Sequence, residues 1–399
     1  MKTQKRIRNF IGIVAVIAGI IILISCKKND YGIAPYTRPV SSIVPGSSNS
    51  IFDDTTRLRF IPNDGNWDPH ALVYEDLQYD AYLTRFAGWN GGDGNYSHLL
   101  PDSTILWTFQ DSFFGTITSN RNRNPSTNAF VRNAGVIQKN RSTSNFTQLN
   151  QGNLNNSQTW IQYDNLVSND TKQIYWPGGG HVLNGTFQIL LGHMSYNTSG
   201  GLDFASVDLA IYSLPGMTLQ KVIKNKYMGG VNFDSNIYDD ADGYTYIYGN
   251  TSASFSYKLQ VARVPNHDLT ANWQYLTKNG WADNYDGNFV LQDSQTLPNI
   301  VKSGSKYYLV SQGWGYGHEI FIWESPSPTG PFTNRRTIYM IPNNQKVVTY
   351  NMTVHSALAE EGELVIAYNI NPISFGDNFN LAGSADLYRP YFVRIKNWQ

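Results

Sequence analysis

Helical periodicity is what this sequence has least of. Apolar residues almost nowhere recur at the three-and-four spacing of an amphipathic helix, which leaves an all-β architecture. Cysteine occurs once, at Cys26, so the chain has no internal disulfide and folds without one. Charged residues make up only 15% of the chain. The 30 basic residues balance the 30 acidic ones and form no basic block, which argues against a nucleic-acid partner. The seven histidines show no HExxH-type spacing, so a catalytic zinc is not expected. No G-x-S-x-G element is present for a serine hydrolase. Gly178-Gly179-Gly180-His181 is followed by no Lys-Ser or Lys-Thr and opens no helix, so it is not a phosphate loop.

The N-terminus reads as an export signal. Lys2, Lys5, Arg6 and Arg8 precede an apolar run over 10–24, short for a membrane span, that ends in Leu23-Ile24-Ser25-Cys26. A small residue before a cysteine is the pattern of a lipoprotein signal, with Cys26 lipidated; an uncleaved membrane anchor is the alternative. Residues 1–25 are thus expected to be signal peptide. Residues 26–50, rich in Pro, Ser and Gly, form a flexible tether, and 51–399 form one domain. This organisation puts the protein on the outer membrane, at its periplasmic face or the cell surface, since Lys27 and Lys28 favour neither.

Aromatics are plentiful, with 26 Tyr, 19 Phe and 10 Trp. Tyr and Trp suit β-sheet, and their rings also stack on the apolar faces of sugars. A tight polar or glycine turn recurs at Pro101-Asp102-Ser103, Leu183-Asn184-Gly185, Ala241-Asp242-Gly243, Lys302-Ser303-Gly304 and Glu361-Gly362-Glu363. Each precedes an alternating strand: TILWTFQD, TFQILLGH, YTYIYGN, SKYYLVSQ and LVIAYN. The last four turns are spaced by roughly 60 residues, a repeat signature. Further strands follow the third, fourth and fifth units at LQVARVP, IFIWES and YFVRI. Five hairpin units of this kind predict a five-bladed β-propeller; a large β-sandwich is the rival, and the equal spacing argues against it.

The stretch WNGGDGNYSHLLPDSTILWTFQDSFFG, residues 89–115, carries the strongest chemical signal. Its glycine-rich first part, too glycine-rich for a helix or regular strand, can aim a carboxylate where bulkier neighbours would block it. It offers Asp93 and Asp111, and paired carboxylates cleave glycosidic bonds. The plainer alternative is a turn residue and a strand-end cap. Glu319, in Trp314-Gly315-Tyr316-Gly317-His318-Glu319, is a third candidate, with a solvated strand start as its alternative.

These segments carry a resemblance. ESPSPTGPF after a strand is similar to a blade of five-bladed glycoside hydrolases of the family 43 and family 32 type. The 89–115 motif, YIYGN with LQVARVP, and YNMTVHSALAEEGELVIAYNIN followed by LYRPYFVRI resemble propeller domains long described as of unknown function. Some relatives of those domains are endo-acting arabinofuranosidases that cut D-arabinan. The resemblance covers about residues 75–397 and implies Asp93 and Asp111 as catalytic residues. In a propeller the inner strands converge on a central channel. On that basis Trp89, Asn95, Trp176, His181, Trp314, Tyr316, Asn351, His355 and Arg389 are substrate-binding candidates. Arg389 has a structural ion pair as its alternative, and by analogy His355 holds a cation or water in the channel. No cofactor is expected, with channel calcium left open.

The reading that follows is a monomeric, lipid-anchored glycoside hydrolase acting on a furanose-containing polysaccharide, an arabinan first. The alternative is a non-catalytic glycan-binding propeller that serves a polysaccharide uptake system.

Overall fold

The computed structural model describes residues 56–252, 256–285, 292–294 and 297–399. The signal segment, Cys26 and the tether lie outside the described residues. Five antiparallel sheets dominate the fold. Sheet I contains Tyr96–Leu99, Ile105–Phe109, Ala134–Gln138 and Thr147–Gln148. Sheet II contains Gln173–Leu183, Thr186–Tyr196, Leu202–Ser213 and Thr218–Tyr227. Sheet III begins with Asn232–Asp239, Tyr244–Ser252 and Tyr257–Pro265, and sheet IV contains Asn299–Ser303, Lys306–Gln312, Glu319–Ser325 and Thr333–Met340. Sheet V joins the two ends of the described chain: Val347–Val354, Leu364–Pro372 and Pro390–Lys396 pair on to Leu72–Asp76 and Leu58–Ile61.

Each of the five turns in the sequence closes the first hairpin of one sheet. Asn184 and Gly185 show why: both have positive φ, +48° and +76°, as a two-residue hairpin turn between twisted strands requires. The chain then adds strands in order, so local pairing builds most of every sheet.

Two features depart from the sequence reading. Residues 91 and 92 are not in a loop, because Ala87–Gly92 is a strand. It pairs with Ser112–Ile117 and then Arg123–Val131 in a separate three-stranded sheet. A short helix, Leu77–Tyr82, was also not expected; Asp76 caps it by accepting from the Tyr79 N–H at 3.0 Å.

The core lies between the sheets. Leu106, Ile137, Phe187 and Leu191 fill the space between sheets I and II. Leu190, Leu209, Phe233 and Ile247 do so between II and III, and Tyr248, Leu259, Ile300 and Leu309 between III and IV. Trp107, Trp89, Val365 and Phe392 join sheet I, the small sheet and sheet V. The first strands of all five sheets border one cavity of about 980 Å³, with Ser97, Gly180, Ile237, Val301 and Val354 among its walls.

Candidate functional site

Asp93 follows the small sheet's first strand, and Asp111 stands between Ile105–Phe109 and Ser112–Ile117. The backbone ties them together. Asp93 N–H donates to the Asp111 carbonyl at 3.1 Å, and Gln110 N–H donates to the Asp93 carbonyl at 2.8 Å. Glycine makes the approach possible. A Cβ on Gly91 would lie 2.3 Å from the Tyr388 carbonyl, and one on Gly94, where φ is +51°, would lie 2.3 Å from the Gln110 side chain.

Asp93 Oδ2 accepts from the hydroxyls of Tyr350 and Tyr388, both at 2.9 Å. Burial pushes the Asp93 carboxyl up to about 7, and the negative charge of Asp111 adds to the rise against those two hydrogen bonds. Asp111 Oδ1 accepts from Arg132 and from the Trp176 indole N–H, each at 3.4 Å. Burial raises Asp111 as well, to about 6, with Arg132 pulling it down. Two neighbouring carboxyls therefore titrate well above the ordinary range, with different partners.

A third carboxylate, Asp234, is one that sequence reasoning missed. Burial raises it to about 6, and no side chain among the described residues hydrogen-bonds to it. Its Oδ2 lies 2.2 Å from where a Cβ on Gly192 would be. Both Asp93 and Asp234 act on the phenol of Tyr96, so both stand near the start of sheet I. Asp234 lies near the start of the strand Asn232–Asp239, at the opposite end from the Ala241-Asp242-Gly243 turn that the sequence marks. The missed signal is the strand irregularity. First strands break register between Pro177 and Gly180, between Asn232 and Asn236, and between Tyr350 and Thr353. Bulges of this kind re-aim side chains, and here they fall beside Trp176, Asp234 and Tyr350. Asn351 sits in the last of them with φ +50°.

Several candidates stand elsewhere. Trp89 is fully buried, with its indole N–H on Ser112 Oγ at 3.3 Å, so it cannot meet a ligand. Asn95 and His355 are also fully buried and bond to each other at 2.8 Å. Asn95 donates to Asn369 at 2.8 Å and His355 meets Ser97 at 2.9 Å, because buried polar groups must find partners inside. Burial lowers His355 to about 3, which keeps it neutral. Arg389 is buried in an ion pair with Asp386 at 3.1 Å and donates to the Asp80 carbonyl, so it is a structural arginine. His181 meets Asp239 at 2.8 Å and borders the 980 Å³ cavity, whose walls do not include Asp93 or Asp111. Glu319 lines a different cavity, of about 600 Å³, with Arg59, Trp67 and Glu75. Trp314 and Tyr316 are exposed on the loop before it. Among the described residues no three His, Cys, Asp or Glu side chains gather to hold a metal ion.

The fold and this site define an all-β protein with two neighbouring buried carboxyls, Asp93 and Asp111, both raised above the ordinary carboxylate range. Within that class the chain belongs to the family described as Domain of unknown function (DUF5005), which matches residues 76–398. A solved structure from Bacteroides ovatus ATCC 8483, provisionally described as a hydrolase, is 29% identical with a TM-score of 0.79, over 93% of this chain and 98% of that one. An 86-residue stretch is 31% identical to Lectin A of Photorhabdus laumondii, covering 20% of this chain and 69% of Lectin A. Looser likenesses include the GH43_1 enzyme from Xanthomonas citri. It is 12% identical over 78% of this chain and 89% of that one, with a TM-score of 0.43.

Proposed function

We propose that this protein is a glycoside hydrolase that cleaves a furanose-containing polysaccharide, an arabinan first, and that its five sheets are the blades of a β-propeller. The observation that carries the reading is the pair Asp93 and Asp111. They are bound to each other through their backbones and both lifted toward neutral pH, yet solvated by different groups. Glycoside cleavage needs one carboxyl that still holds a proton and one that has lost it. Asp93 suits the acid, since its two tyrosine hydroxyls occupy one oxygen and leave the other for the proton. Asp111 suits the base or nucleophile, since Arg132 and Trp176 favour its ionised form.

In the reaction Asp93 protonates the glycosidic oxygen as its bond to the anomeric carbon breaks. The electron pair of that bond leaves with the oxygen. A water deprotonated by Asp111 forms the new bond to the anomeric carbon, or the Asp111 carboxylate does so itself and a water deprotonated by the now ionised Asp93 then displaces it, restoring both carboxyls. Asp234 adds a third negative group near Tyr96 that favours the positive charge developing on the sugar ring. The Bacteroides ovatus relative supports a hydrolase at the coarse level. The local likeness to Lectin A favours a second reading, a glycan-binding protein without turnover. We further propose that lipid on Cys26 holds the monomeric protein at the outer membrane.

The deciding experiment is a product screen with the domain from about residue 49 onward against arabinans, arabinogalactans and other polysaccharides. Oligosaccharides released from an arabinan, and lost in Asp93→Asn, support the enzyme. Binding without any product favours the lectin-like reading. Cys26→Ala should free the full-length protein from membranes, and retention there would refute the lipid anchor.

A further inference from the structure

We infer that a shelf of aromatic rings beside the two aspartates binds the apolar face of a sugar unit next to the one being cut. The substrate is therefore a chain of several units rather than a terminal fragment. This inference rests on the hydrolase reading and names the substrate form that the same site selects.

The shelf is built on Phe113, which is buried and lies under the Arg123 guanidinium at 4.2 Å. Phe130 packs on it with ring centroids 4.8 Å apart. Phe375 lies 6.1 Å from Phe113 and 5.8 Å from Phe130, and Phe379 lies 5.3 Å from Phe113. Two of these rings face solvent: Phe130 is 37% exposed and Phe375 48%, and neighbouring Ile373 is 50% exposed. Exposed apolar rings that pack on one another, as Phe130 and Phe375 do, mark a binding surface more often than singly scattered ones.

The shelf touches each aspartate through one residue. The Tyr388 ring lies 5.3 Å from Phe113, and its hydroxyl donates to Asp93 at 2.9 Å. Arg132 stacks 5.1 Å over Phe130 and donates to Asp111 at 3.4 Å. A sugar whose linkage lay between the carboxyls would thus have its neighbour over Phe130 and Phe375. Phenylalanine has no polar tip, so these rings would take the C–H face of a sugar by stacking and leave its hydroxyls to water. Such a contact strengthens binding of the chain without acting on the bond that breaks, so it should appear in KM rather than in kcat.

The test compares wild type, Phe130→Ala and Phe375→Ala on arabinan oligosaccharides of increasing length. In parallel, binding of the same oligosaccharides to Asp93→Asn is measured by calorimetry. Both rings are solvent-facing, so the variants should fold, which circular dichroism and melting temperature check. The expected result is that kcat/KM of wild type rises with length. Each phenylalanine variant should lose about tenfold on long chains through KM, with kcat and the shortest cleavable substrate unchanged. Equal cleavage of long chains by wild type and both variants would overturn the shelf and leave the hydrolase standing. A fall in kcat at every length would also overturn it, because the rings would then act only by positioning Tyr388 and Arg132 against the aspartates. Neither cleavage nor binding of any oligosaccharide would remove both the shelf and the reading beneath it.

Discussion

A carboxyl donates protons near neutral pH only where its ionised form is disfavoured, and Asp93 has two reasons for that: burial and the charge of Asp111. The proposed roles require Asp93 protonated and Asp111 ionised. Activity should therefore fall above about pH 7, as Asp93 loses its proton, and below about pH 6, as Asp111 gains one. A pH profile of kcat/KM, which reports the groups of the free enzyme, checks this narrow bell. Arg132 pulls Asp111 down, so Arg132→Met should move the acidic limb to higher pH; an unmoved limb would separate Arg132 from the titration. Asp93→Asn and Asp111→Asn should each lower kcat by about a thousandfold. Both groups have folded pKa values above their ordinary 3.8. The stability this contributes is full below that value and is lost as pH rises through the folded value. Either Asn variant should therefore melt above wild type at pH 8, with the gap closing toward pH 4, as calorimetry would show.

The elements that matter are the first strands of the sheets, and their irregularities more than their regular parts. A bulge leaves a residue out of the ladder and turns its neighbours, and three such strands carry one beside Trp176, Asp234 and Tyr350. Sheet II then comes close to sheet III: a Cβ on Gly178 would stand 1.9 Å from the Asp234 carbonyl. Gly178→Ala should force the Asp234 segment away and cost about 1–3 kcal/mol, read as a lower urea midpoint. An unchanged midpoint would mean that this contact is slack. Hairpins were legible because Asn-Gly, Asp-Gly and Ser-Gly turns report their own backbone. Bulges have no such composition, which is why Asp234 went unseen and why 91–92 read as loop.

At the scale of the whole molecule, the ends of the described chain meet in sheet V, where Leu72–Asp76 pairs with Pro390–Lys396. Arg394 locks that seam from inside. It donates to Asp76 and to Glu363, each at 2.6 Å, with all three side chains buried. Removing the cation would leave two buried carboxylates without their counter-charge, each held among the described residues only by one backbone N–H, from Tyr79 to Asp76 and from Glu360 to Glu363. Arg394→Met should then cost about 3–5 kcal/mol by denaturant unfolding. A loss under 1 kcal/mol would mean that the seam is held by its backbone pairing and by Phe392.

The sequence by itself determined what local chemistry specifies: an all-β chain, five hairpins with their turns, and the strands following them. It also put Asp93 and Asp111 forward, because a glycine run beside an aspartate is a local pattern. The tertiary structure alone decided which polar and aromatic residues reach that pair. Trp89, Asn95, His355 and Arg389 have the composition of a sugar site, yet each is consumed by packing or by an internal partner. Tyr350, Tyr388 and Arg132, which do reach it, come from three distant segments. Burial and long-range pairing depend on how the sheets stack, and no window of sequence contains that information.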